Sequence, residues 1–349
     1  MSRWAVILAG GVGSRFWPLS TPRRPKQLLP LITDSPLLAD TVARLAPLVP
    51  AEHTLVVTNA SLAAAVRALL PQLPAENVIA EPRAAGTAPA LAWAAMTIAQ
   101  RGSADDVMLC VHADWAIGND AEFRATLARA AALAEREQSL VTVGIVPARP
   151  DPGFGYIEPG EPVSEATRDG ARRVARFAEK PNREAAARMV ASGYLWNSGI
   201  FVWRAGDFLM EVRSRAPEVA PFLSLAESGD IAAFFSSVTP ISVDEGVLER
   251  SPRVLVIPGD FGWDDVGTWA ALHRVRKRDG SGNAAFGDVH AVEASNNVVH
   301  ADTGSVVLYG VSDLVVVTRD GLTLVTTKDR AAELKKLLDA LPPAIRERS

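Results

Sequence analysis

Cysteine is nearly absent: the chain of 349 residues holds one, Cys110. That count excludes an intramolecular disulfide framework and a cysteine-based metal site, and the expected setting is reducing and cytoplasmic. Histidine is scarce too. The five copies (His53, His112, His273, His290 and His300) are scattered, none at zinc-ligand spacing with another His or Cys. Any metal is therefore expected to be a hard cation on oxygen ligands. No apolar run reaches the roughly 20 residues of a membrane span. The run Trp4–Ala9 stops at Gly10-Gly11, too short for a signal-peptide core. Nor is there an excess of positive charge: the net value is −4, which weighs against a general nucleic-acid surface. Neither a nucleic acid nor a membrane is expected as partner.

What the chain does have is alternation. RWAVILA, HTLVVTN, NVIAEP, DVMLCVHAD and LVTVGIVP are apolar strand runs. Between them lie helical patterns such as APALAWAAMTIAQRG and AEFRATLARAAALAERE. Continuous apolar strands separated by helices imply an α/β fold: a doubly wound, mostly parallel, Rossmann-like sheet with ligands at the carboxyl ends of its strands. From about Pro150 the strands lengthen and read as partly antiparallel, in GFGYIEPG, RRVARFAEKP and YLWNSGIFVW. Helical patterns follow around Asp207–Leu223 and Asp244–Arg250, then in VGTWAALHRVRKR. From about Asn283 the chain turns β-rich, and DRAAELKKLLDAL closes it as a helix. The expected domains are residues 1–280, catalytic, and 281–349, a small β-rich domain with a terminal helix.

The stretch LAGGVGSRFWPLSTPRRPKQLLP (Leu8–Pro30) follows the first strand. Glycines directly after a strand let backbone N–H groups approach phosphate oxygens. Arg15 adds a planar fork suited to phosphate and Lys26 a compact second charge. The loop is not a P-loop, which needs Lys and Ser/Thr after its last glycine. It is not the dinucleotide fingerprint either, because Phe16 fills the place of the third glycine.

The whole string resembles the signature of the sugar-1-phosphate nucleotidyltransferases, LAGG-x-G-[ST]-R-L-x-P followed by PKQ-[LF]-L-P. The continuation Trp17-Pro18-Leu19-Ser20 is similar to the mannose-1-phosphate guanylyltransferase (GDP-mannose pyrophosphorylase) branch. Further matches follow in order. AEPRAAGTAPALA (Ala80–Ala92) resembles E-P-x-x-R-N-T-A-P-A-I, and VHADWAI (Val111–Ile117) resembles P-A-D-H-x-I. FAEKPN (Phe177–Asn182) resembles F-x-E-K-P, YLWNSGIFVW (Tyr194–Trp203) resembles Y-x-W-N-S-G-x-F, and GWDDVGTWAAL (Gly262–Leu272) resembles W-S-D-V-G-S-W-x-x-L. The resemblance spans essentially the whole chain and implies a GT-A-like nucleotidyltransferase fold.

The implied reaction joins GTP and α-D-mannose 1-phosphate to give GDP-mannose and pyrophosphate. The sugar phosphate attacks the α-phosphorus in line. Its nucleophile is already an anion near neutral pH, so no general base is required, and the lack of a Ser/His/Asp or Cys/His constellation fits. The resemblance implies catalytic roles for Arg15, Lys26, Asp114 and Asp265, with Asp114 and Asp265 binding Mg²⁺. Asp264 adjoins, and motif register alone favours Asp265. Leu8, Ala9, Gly10, Gly11, Gly13, Ser14, Glu81 and Thr87 are implied nucleotide-binding residues. Gly155, Glu179, Lys180 and Asn197 are implied to hold the sugar phosphate. A homodimer is also implied.

Two departures from the guanylyltransferase pattern leave alternatives open. Ala85-Gly86 stands where the branch has Arg-Asn, and Trp115 where it has His after the aspartate. One alternative is another NTP, or another hexose- or heptose-1-phosphate, in the same chemistry. Another is a non-catalytic paralogue that binds nucleotide sugar and regulates a partner.

Overall fold

The computed structural model describes residues 1–11, 15–163 and 170–346, with Ala332 through its backbone alone. The chain divides into two compact units, neither of them continuous in sequence. One comprises Met1–Gly10, Val42–Ala113 and Asn119–Trp263; the other comprises Gly11–Thr41, Asp114–Gly118 and Asp264–Ser349.

The first unit is built on a sheet of nine strands: β1 (Arg3–Leu8), β2 (Thr54–Asn59), β3 (Val78–Glu81), β4 (Val107–His112), β5 (Leu140–Ile145), β6 (Tyr156–Pro162), β7 (Arg172–Ala178), β8 (Leu195–Arg204) and β9 (Val254–Gly259). Their order is β3-β2-β1-β4-β8-β5-β9-β7-β6. β1 pairs in parallel with β2 and β4, as does β2 with β3, and these are the apolar runs the sequence marks as parallel strands. The longer strands after Pro150 bring in the antiparallel pairings. β8 wedges between β4 and β5, antiparallel to both. Its run Ile200-Phe201-Val202-Trp203 is fully buried, which suits a central strand covered on both faces.

Helices cover the sheet where the pattern places them. Thr87–Arg101 starts after Gly86 and ends at Gly102, with Ala88 to Ile98 almost wholly buried. In Asp120–Glu137 the Asn119 side chain accepts from the Glu122 N–H, a cap of about 1 kcal/mol. Between Asp207 and Leu223 the helix is shorter than the pattern suggests, spanning Ala205–Arg215. Asp244–Leu248 is a single π-helical turn.

The second unit carries a four-stranded sheet: β10 (Ala284–Val292), β11 (Val298–Tyr309), β12 (Leu314–Arg319) and β13 (Leu322–Thr327). The first three run parallel and β13 pairs antiparallel with β12. Gly287 and Gly304, both at positive φ, sit inside the two long strands. A Cβ on Gly287 would lie 2.1 Å from the Ala301 carbonyl oxygen, so only glycine permits that approach. Phe16, Trp17, Leu19, Leu29 and Leu31 share one core with Trp269, Leu272, Val298, Val315, Val317, Leu324 and Leu334. The segment after the glycines is thus built into the β-rich C-terminal part. Arg276, buried, stitches the two together through the Leu31 carbonyl (2.6 Å), the Val299 carbonyl (3.3 Å) and His300 Nδ1 (2.8 Å). Burial pushes the His300 imidazole down to about 3, with Arg276 adding to the shift, so the ring is neutral and accepts. The expected helix VGTWAALHRVRKR is confined to Trp269–Val275. It begins late because Val266 has φ +48° and Thr268 caps it, and ends early because Arg276 is extended. The closing pattern forms a 3₁₀ turn at Arg330–Glu333 and a helix at Leu334–Ala340, and a last short helix, Pro343–Arg346, follows.

Candidate active-site residues

Four expected catalytic residues converge in the second unit. Lys26 opens a single 3₁₀ turn after the extended Pro25, so its side chain is delivered into the interior, 8% exposed. Its Nζ lies 2.9 Å from Asp114 Oδ2 and donates to the carbonyls of Asp265 (2.9 Å) and Val266 (3.1 Å). Asp265 Oδ1 accepts from the Gly267 N–H at 3.1 Å. Val266, buried and β-branched, has φ +48°, a left-handed conformation that costs energy for such a residue. Gly267 leaves room: a Cβ there would lie 2.6 Å from Asp265 Oδ2 and 3.3 Å from Arg15 Nη1. Arg15 Nη1 reaches the Gly267 carbonyl at 3.5 Å. Two cations and two carboxylates are therefore gathered at one place.

Burial raises the Asp265 carboxyl, Lys26 opposes that, and Asp264 and Asp114 add to it. Carboxylates gathered beside Lys26 are a hard-oxygen donor set whose charge a divalent cation would offset. No group of three or more His, Cys, Asp and Glu able to hold a metal exists among the described residues. Two oxygen ligands suit a hard divalent cation that would draw the rest of its shell from substrate oxygens and water.

Asp264 does different work. It is 5% exposed, and Oδ2 accepts from Arg274 Nε and Nη2 at 3.0 and 2.8 Å. Oδ1 accepts from the Val266 N–H at 3.1 Å. Its carboxylate holds the turn on which Asp265 is presented. Gln27, which the sequence reading did not single out, donates to the Gly11 carbonyl at 2.8 Å. Gly13 and Ser14 lie outside the described residues.

In the first unit, Leu8 ends β1 and Ala9 and Gly10 follow it, Gly10 beside Glu81, which ends β3. The Ala9 N–H donates to the Val57 carbonyl, and Thr58 Oγ1 to the Ala9 carbonyl. A Cβ on Gly10 would lie 3.3 Å from Glu81 Oε2. Burial pushes the Glu81 carboxyl up to about 7. Thr87 Oγ1 accepts from the Val243 N–H at 2.8 Å. The neighbouring departure has a backbone cause. Gly86 has φ +86°, and a Cβ there would stand 2.2 Å from the Ile241 carbonyl oxygen. Ala85 is fully buried in the core. Neither position offers a side chain to a ligand.

The sugar-side residues also come together in this unit. The Asn197 N–H donates to the Gly155 carbonyl at 2.8 Å. A Cβ on Gly155 would sit 2.7 Å from Glu179 Oε2 and 3.4 Å from Asn197 Cβ. Lys180, at φ +41°, pairs with Glu179 at 2.7 Å, both side chains mostly exposed. Sequence reasoning missed Asp244, whose Oδ1 accepts from Asn197 Nδ2 at 2.7 Å. A lone aspartate in a helical pattern carries no signal of that contact.

Strand-end glycines in one unit, and in the other a lysine set against a carboxylate and two carbonyls, belong to an α/β protein. The family model described as Nucleotidyl transferase matches residues 4–281, and one described as MannoseP isomerase/GMP-like beta-helix domain matches residues 287–341. The chain belongs to the nucleotidyl transferase family.

It is 40% identical to the mannose-1-phosphate guanylyltransferase of Escherichia coli strain K12, across 97% of this chain and 73% of that protein. It is 39% identical, over the same shares, to mannose-1-phosphate guanylyltransferase ManC of Salmonella typhimurium strain LT2. A crystal structure described as mannose-1-phosphate geranyltransferase from Thermus thermophilus superposes with a TM-score of 0.89 at 34% identity. That match covers 97% of this chain and 99% of the other. No helix of the described residues is long and apolar enough to cross a membrane.

Proposed function

We propose that this nucleotidyltransferase is a mannose-1-phosphate guanylyltransferase, forming GDP-mannose and pyrophosphate from GTP and mannose 1-phosphate. The observation that carries the reading is Lys26, held between the Asp114 carboxylate and the Asp265 and Val266 carbonyls. The names of the relatives supply the substrates.

Residues 1–280 would carry the transfer reaction and 281–349 the accompanying β-rich domain. Leu8, Ala9, Gly10, Gly11, Gly13, Ser14, Glu81 and Thr87 would bind the nucleotide, the glycines through backbone N–H groups. Arg15 and Lys26 would neutralise the β- and γ-phosphates and steady the departing pyrophosphate. Asp114 and Asp265 would hold Mg²⁺, which when bound offsets negative charge on the phosphates. Gly155, Glu179, Lys180 and Asn197 would bind the sugar phosphate, Lys180 by its charge and Glu179 and Asn197 through hydroxyls. A phosphate oxygen of the sugar forms the new bond to the α-phosphorus as the bond to pyrophosphate breaks. No side chain needs to accept a proton. The protein would act in the cytoplasm, as a homodimer.

Ala85 and Gly86 favour a second reading for the base alone, since neither offers the side chain of the guanylyl pattern. Pyrophosphate release across a grid of NTPs and sugar 1-phosphates, with Mg²⁺, tests both. The expected result is turnover with GTP and mannose 1-phosphate above every other pair. Turnover with UTP or dTTP but not GTP contradicts the base assignment. Nucleotide-sugar binding without any turnover contradicts catalysis.

A further inference from the structure

Asp244 opens the π-helical turn Asp244–Leu248, a local geometry that recurs at functional sites. Three hydrogen bonds fix the chain just before it. Ile241 N–H donates to the Ala85 carbonyl (3.1 Å), Ala88 N–H to the Ile241 carbonyl (3.2 Å) and Val243 N–H to Thr87 Oγ1 (2.8 Å). The Gly86 backbone at φ +86° lets those segments meet. The Ala85-Gly86 pair that departs from the guanylyl pattern thus lies, with Thr87, against the segment that leads into Asp244.

Its partner is set with equal care. Asn197 Oδ1 accepts from the Gly199 N–H at 3.2 Å, which turns the amide nitrogen toward Asp244 Oδ1 at 2.7 Å. Asn197 in turn is bonded through its backbone to Gly155, beside Glu179. Asp244 therefore belongs to the constellation assigned above to the sugar. Burial raises its carboxyl; the Asn197 hydrogen bond, His112 and a backbone hydrogen bond oppose that, and Glu179 adds to it. A part-buried carboxylate held beside Asn197 in that cluster is a hydrogen-bond acceptor suited to a ligand O–H donor. A hexose offers that donor in its ring hydroxyls.

We propose that Asp244 is a specificity-determining residue for the sugar, accepting a hydrogen bond from one hydroxyl of the hexose 1-phosphate while Asn197 holds it in place. The proposal rests on the sugar 1-phosphate reading above. Its test uses the full-length protein, Asp244→Ala and Asp244→Asn, with GTP, mannose 1-phosphate and its series of monodeoxy analogues.

The wild type is expected to lose about 10- to 100-fold in kcat/KM with one analogue, the cost of one unmade bond to a charged group. Asp244→Ala should lose a similar factor with mannose 1-phosphate and nothing further with that analogue, while KM for GTP stays within about twofold. Asp244→Asn, nearly isosteric, keeps the test alive if the alanine variant does not fold, and should behave in the same way. Penalties that multiply, or KM values for GTP and sugar phosphate that rise together, would overturn the assignment in favour of a structural role. A wild type that turns over no hexose 1-phosphate overturns the reading beneath it and this one with it.

Discussion

Lys26 Nζ stands 2.9 Å from Asp114 Oδ2, and the same ammonium donates to the Asp265 and Val266 carbonyls. A positive charge so held is fixed in place, and on the proposed reading it would meet the charge that grows on a departing pyrophosphate. Removing it in Lys26→Met is expected to lower kcat by about 10²- to 10³-fold, the usual cost of one such stabilising group. Lys26→Arg should not restore the rate, because a planar fork cannot replace a compact ammonium among these acceptors. Steady-state kinetics on both variants check this, and wild-type rates in either would contradict it.

The adjacent aspartates should separate cleanly. Asp265→Asn is expected to abolish turnover with little change in melting temperature. Asp264→Asn should instead cost about 1.5–3 kcal/mol of stability, since it weakens the charged bonds from Arg274. Paired activity assays and denaturant unfolding distinguish them. The roles reverse if Asp264→Asn is the stable, inactive variant.

Gly86 gives a prediction against motif logic. Gly86→Asn restores the residue of the guanylyl pattern, yet its Cβ meets the Ile241 carbonyl at 2.2 Å. The variant is expected to lose about 1–3 kcal/mol from backbone strain, read by urea unfolding. A gain in stability would mean that residues 241–243 can move aside.

Glu81 sets a pH dependence. Its folded carboxyl is pushed up to about 7 from an ordinary 4.5, so the folded state holds the proton over that interval and the unfolded state has lost it. Stability from this group is therefore full below about pH 4.5 and declines as pH rises to about 7. Unfolding of Glu81→Gln across the same range should lack that decline. An unchanged slope would assign it to another group.

The sequence discloses the parallel half of the sheet because each apolar run there is local and bounded by a helix. It does not disclose that β8 inserts between β4 and β5, since the pairing partners are distant in the chain. The motif strings mark Lys26, Asp114 and Asp265, and the structure brings these together. Motif register alone favours Asp265 over Asp264; the Arg274 contact that occupies Asp264 is tertiary. Asp244 is illegible for the same reason, as its meaning comes from Asn197, far upstream. The core shared by Phe16 and Trp17 with Leu324 and Leu334 joins opposite ends of the sequence, which no local pattern reveals.

The most direct test follows oxygen. Mannose 1-phosphate carrying ¹⁸O throughout its phosphate is mixed with unlabelled GTP and Mg²⁺, and both products are weighed by mass spectrometry. Attack by the sugar phosphate on the α-phosphorus should leave all of the label in GDP-mannose and none in pyrophosphate. Label in the pyrophosphate, or no GDP-mannose at all, would contradict it.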